Sequence, residues 1–105
     1  TEMLKNAFGA KPPKPGEGPS KAERENGHYD VLFVGEWPDG TRLHYGVKGK
    51  YDPGYGSTSR MLAETGMALL DSDAEGGVGT PGSFLGEALV ERLRDHAELR
   101  FAVEE

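Results

Sequence analysis

The chain has no cysteine. That excludes disulfides, thiolate nucleophiles and thiolate metal sites. No apolar run approaches the ~20 residues of a membrane span. The first residues also lack the apolar core of a signal peptide. Basic residues are scarce, with 12 Lys and Arg against 18 Asp and Glu, for a net charge of −6. The imbalance sits in residues 52–105, where 4 Arg face 11 acids, while residues 28–51 are neutral. A nucleic-acid binder carries a basic stripe, so nucleic acid is not an expected partner. An acidic surface of this kind fits a cytoplasmic protein. Hydrophobic residues make up 35% of 105 residues, which bounds the chain to one domain with a modest core.

Reactive groups are sparse as well. His28, His44 and His96 are scattered, and no acid is spaced to complete a metal site with them, although a hairpin could bring His28 near His44. The acidic run Asp71, Asp73, Glu75 lacks the glutamate that a calcium loop needs, because Gly82 stands at that position. No nucleophile, base and orienter stand at a recognisable spacing, so no catalytic residue is nominated.

Glycine is plentiful, with 16 residues, or roughly twice ordinary usage. Met3, Leu4, Ala7 and Phe8 suit the end of a helix that Gly9 stops. Lys11 to Pro19 holds four prolines and reads as an extended connector. Ser20 caps a short polar helix over 21–26, and Gly27 ends it. A connector this early, after Thr1 in place of Met, suggests a trimmed protein or a piece of a longer one. Residues 1–27 are read as this connector and residues 28–105 as the folded domain.

Residues 28–37 and 42–48 alternate in polarity around Pro38-Asp39-Gly40, a strong hairpin signal. Both faces of the first strand are apolar, which predicts burial on both sides by something larger. A helix follows near 57–71, with Met61, Leu62, Thr65, Ala68 and Leu69 as its inner stripe. Gly66 inside it suggests a close contact. Thr80-Pro81 starts a second helix, whose face holds Leu85, Ala88, Leu89, Arg92 and Leu93. Leu99, Phe101 and Val103 alternate in a closing strand. The expected fold is α+β: a small antiparallel sheet, made of the hairpin and the C-terminal strand, with two packed helices.

Each helix is entered through a glycine loop. In the first, Gly54 and Gly56 permit unusual backbone, and Ser57, Thr58 and Ser59 put hydroxyls and amides at a helix start suited to an anion. Tyr55 could touch a ligand or sit in the core. In the second, Gly77 to Gly82 matches G-x-G-x-x-G by chance, since no strand precedes it and Pro81 lacks the donor a phosphate needs.

Taken in series, these pieces resemble a known family. The hairpin, Asp52-Pro53-Gly54-Tyr55-Gly56-x-Thr58-x-x-Met61, then Gly76-Gly77-Val78-x-Thr80-Pro81, then Leu85-Gly86-x-Ala88-Leu89-x-x-Arg92-Leu93 are similar to the C-terminal part of the saccharopine dehydrogenase-like oxidoreductases, the group that includes the trans-acting enoyl reductases. Pro15-Gly16-Glu17-Gly18-Pro19-Ser20 resembles the connector before that hairpin. Gly79 and Gly82 depart from the pattern and would loosen the second helix start. The resemblance implies an N-terminal Rossmann domain of the same protein that binds NAD or NADP, and a second domain that supports the substrate cleft and subunit contacts, as in a homodimer. This chain would belong to the second domain, bind no cofactor alone and be inactive by itself. Tyr55, Thr58 and Thr80 are the cleft candidates, with Gly54, Gly56, Gly77 and Pro81 as structural residues. The alternative from the residues alone is a stand-alone protein-interaction module with no enzymatic role.

Overall fold

A computed structural model describes residues 14–105. The helix end read over 1–8 and the first prolines of the connector lie outside the described residues. Helix α1 spans Lys21–Asn26, strand β1 His28–Glu36 and strand β2 Arg42–Lys50. Helix α2 spans Gly56–Leu70, helix α3 Pro81–His96 and strand β3 Leu99–Glu104. The α+β expectation holds: a three-stranded antiparallel sheet in the order β1-β2-β3, with helices packed at one end.

Local chemistry explains the hairpin. The Gly40 amide donates to the Trp37 carbonyl at 2.9 Å, and Gly40 takes φ +85°, which glycine adopts without strain. Asp39 Oδ1 accepts from the Thr41 amide at 2.9 Å and squares the turn. The β1–β2 ladder then runs unbroken from Glu36↔Arg42 to His28↔Lys50. This register places His44 opposite Val34, six positions along β2 from Lys50, the partner of His28. The two histidines are therefore not brought together.

Register also sorts the two faces of the sheet. Tyr29, Val31 and Phe33 share one face with Leu43, Tyr45, Val47, Leu99, Phe101 and Val103. The other face carries Asp30, Lys48 and Glu104, where Lys48 Nζ reaches Asp30 at 3.2 Å and Glu104 at 3.3 Å. β1 is an edge strand, and among the described residues both of its faces are open, with Val31, Leu32, Phe33 and Val34 all exposed.

The core lies between the helices. Ala68 of α2 meets Leu85 and Leu89 of α3, flanked by Phe84 and Leu93. Arg92 clamps the same pair of helices, with Nε 2.8 Å from Glu64 Oε2 and Nη1 3.5 Å from Asp71 Oδ2. The Glu64 contact is an ion pair rather than an aligned hydrogen bond, and both of its atoms are shut off from solvent. The inner stripe of α2 is thus Met61, Glu64, Thr65 and Ala68, whereas Leu62 is 72% exposed and Leu69 49%. A pattern of apolar residues cannot register Glu64, because its partner is 28 positions away.

Two glycines in the helices behave differently. A Cβ at Gly66 would meet nothing within 4 Å, so no close contact explains it. Gly86 has φ 51° and ψ −131° and kinks α3 in mid-course. That backbone is strained for any residue with a Cβ. Gly66→Ala is expected to raise stability by about 0.5–1 kcal/mol, and Gly86→Ala to lower it by roughly 1–3 kcal/mol. Chemical denaturation of the two variants measures both, and two changes of the same sign would contradict the assignment.

Candidate functional site

The loop between β2 and α2 is organised by one side chain. Asp52 Oδ2 accepts from the Tyr55 amide at 2.7 Å and the Gly56 amide at 2.9 Å, and Oδ1 accepts from the Gly54 amide at 3.2 Å. Its own backbone joins two further segments: the Asp52 amide donates to the Arg24 carbonyl at 3.0 Å, and the Ser57 amide donates to the Asp52 carbonyl at 2.7 Å. The amides of Gly56, Tyr55 and Gly54 hold the Asp52 carboxyl below the usual carboxylate range, Gly56 contributing most. The amides at this helix start are therefore taken by a carboxylate of the chain itself. An external anion would have to displace it, which removes the anion-site reading of Ser57 to Ser59.

The surrounding residues leave little slack. A Cβ at Gly56 would lie 2.7 Å from the Arg24 carbonyl oxygen, and one at Gly27 would lie 2.6 Å from Asp52 Cα. Gly56 is needed for this close approach, whereas Gly54 and Gly77 face only ordinary contacts. Tyr51 takes φ 76°, and Arg60 stacks over its ring at 3.8 Å while donating to the Gly56 carbonyl at 2.6 Å. Ser57 is fully buried, and its hydroxyl lies 2.8 Å from the Tyr29 hydroxyl. The Tyr29 ring lies over Gly49 and leaves no room for a Cβ there. The sheet is thereby tied to the start of α2.

Tyr55 and Thr58 belong to this turn, and both are exposed. Tyr55 is 62% exposed, so it is not a core residue, and its ring passes over Gly18 of the connector. The Thr58 hydroxyl donates to the Pro53 carbonyl. Thr80 stands apart from both, at the start of α3, where its hydroxyl accepts from the Ser83 amide at 3.3 Å and Pro81 fills the first helical position. Among the described residues no hydrogen bond joins Thr80 to Tyr55 or Thr58. The Gly77–Gly82 segment follows α2 and a loop instead of a strand. Phe84 fills the space a side chain at Gly79 would take, which offsets the loosening expected there. In the first glycine loop the Asp52 carboxylate takes the amides that a pyrophosphate would use, and the second lacks the preceding strand of a dinucleotide fingerprint.

A cleft of about 430 Å³ lies beside the α2–α3 core, floored by Ala68, Phe84 and Leu85. Asp71, Asp73 and Asp95 rim it, and Tyr55, Thr58 and Thr80 do not line it. Among the described residues no cluster of His, Asp or Glu could hold a metal ion, and no helix is long and apolar enough to cross a membrane. The readable signal for the Asp52 knot was Asp52-Pro53 itself, since aspartate before a turn commonly binds backbone amides ahead of it. Nothing in the local pattern announces the Tyr29–Ser57 bond or the kink at Gly86.

Asp52 gives a pH signature. Its folded pKa is depressed, so its contribution is complete above the unfolded value near 3.9 and is lost as pH falls through the lower folded value. The stability gap between the wild type and Asp52→Asn should be constant above about pH 5 and shrink below about pH 4. Denaturant melts across that range measure it, and a gap unchanged at pH 2 would contradict the assignment.

Comparison with known proteins identifies relatives. A protein of Mycobacterium tuberculosis provisionally named a trans-acting enoyl reductase is 45% identical over 85 residues, covering 77% of this chain and 20% of the relative. Proteins named trans-acting enoyl reductase from Mycobacterium ulcerans and Mycobacterium bovis are 41% and 40% identical with the same coverage. The chain thus spans about a fifth of the length of the curated relatives it matches. No protein-family model matches it, and no solved structure does.

Proposed function

We propose that this chain is the C-terminal domain of a saccharopine dehydrogenase-like, NAD(P)-dependent oxidoreductase of the trans-acting enoyl reductase type. Its role is to support the substrate cleft and subunit contacts, and it is not catalytic alone. The observation that carries this reading is 40–45% identity to proteins about four times as long that bear the enoyl reductase name. The residues agree with a supporting role. The described part offers no nucleophile–base pair, and hydride transfer would rest on a nicotinamide held by an N-terminal Rossmann domain of the same protein.

The loop between β2 and α2 is the part of this domain best suited to face a cleft. Asp52 fixes three amides in a row, and the exposed Tyr55 rides on that fixed turn. A side chain on rigid backbone contacts a substrate with little ordering cost. Thr58 sits one turn further on, and Thr80 would complete the cleft from the start of α3. A homodimer is part of the same proposal, as is the division into a connector over 1–27 and a domain over 28–105.

The test is the native product in its source cells. A polypeptide several times longer than 105 residues, which binds NADH or NADPH, is expected. In that product Tyr55→Ala should lower kcat/KM by about 10-fold, near 1.4 kcal/mol, with little change in melting temperature. A native product of about 11.3 kDa would contradict the reading and favour the interaction module.

A further inference from the structure

The two faces of the sheet are finished differently. One carries the Asp30–Lys48–Glu104 ion pairs and the Glu36–Arg42 pair at 2.6 Å, with Leu32 and Val34 exposed among them on β1 alone. The other is apolar along all three strands and is covered only near Leu99, which is buried. Away from that end it is bare, with Phe33 56% exposed and Val103 60%, and Val31 and Leu43 exposed beside them. Trp37 lies on the same face, its ring 3.7 Å from where a Cβ on Gly35 would stand, and is half exposed. An antiparallel sheet normally turns one face to the core and one to water. Among the described residues the apolar face has no core to meet.

We propose that this face docks against the part of the longer oxidoreductase polypeptide that lies outside this chain, a proposal that rests on the domain reading above. Area decides between that occupant and a second copy. Three strands of six to nine residues have a planar footprint of roughly 400 Å². A stable dimer buries about 800 Å² of accessible surface from each partner, more than a footprint of this size supplies. A covalently tethered layer does not bear the full association cost, so the smaller patch suffices. Relatives about four times as long have chain enough for such a layer. The bare apolar strip is the seam of a larger folded body.

The cysteine-free sequence allows a direct test by thiol labelling of Phe33→Cys and Val103→Cys, with Leu70→Cys as the outer control. Each variant is made in the 105-residue chain and in a chimera, in which this chain replaces the matching segment of the 45% identical mycobacterial relative. In the chain alone all three thiols should label at similar rates. In the chimera, mass-resolved labelling at positions 33 and 103 should slow by about 30-fold or more, with Leu70→Cys little changed. Equal slowing at all three positions, or none at 33 and 103, overturns the proposal. Sedimentation of the 105-residue chain supplies an arm that needs no chimera. A monomer up to about 200 µM is expected, and a tighter dimer that Phe33→Asp abolishes would assign the face to a second copy and overturn the proposal. A chimera without reductase activity that still protects both thiols contradicts the oxidoreductase reading and supports the docking surface.

Discussion

The structure turns on the carboxylate of Asp52. Three consecutive amide groups bind it, and its own backbone joins the end of α1 to the start of α2. A helix start normally leaves several amides without partners. Here one aspartate answers them from four residues before the helix begins, and the glycines at 27 and 56 let the backbones approach closely enough to do so. The connector, the hairpin and α2 are locked at one point. Tyr29 adds the second tie, crossing Gly49 to reach the buried Ser57 hydroxyl.

That knot sets the logic of the rest. It holds one end of the sheet to the helices, and the helix pair is closed separately by Ala68, Leu85 and Leu89 and by Arg92 between Glu64 and Asp71. Among the described residues nothing covers the other end of the apolar sheet face. A small domain with an ordered loop and an unfinished face has the physical form of a part. Similarity to proteins about four times its length, with the enoyl reductase name, agrees with that form.

Much of the fold was legible because it depends on short-range chemistry. Asp39-Gly40 marked the hairpin, Ser20 and Gly27 bounded α1, and Thr80-Pro81 opened α3 where the structure has it. The parts that escaped depend on partners distant in sequence or on backbone alone. Leu62 and Leu69 looked like core residues by spacing, yet Glu64 turns inward because Arg92 meets it. Gly86 reads as an ordinary helix glycine, and only its φ of 51° reveals the kink. At the candidate site the loop itself was visible in the sequence. Its anion-binding look was misleading, because the carboxylate that fills the amide cradle is the chain's own Asp52.

Amide hydrogen exchange in the 105-residue chain measures the rigidity of that knot most directly. Tyr55, Gly56 and Ser57 should exchange at least about 100-fold more slowly than Gly76 and Gly77 in the open loop between the helices. Equal rates at the two sets of amides would show that Asp52 does not hold the turn.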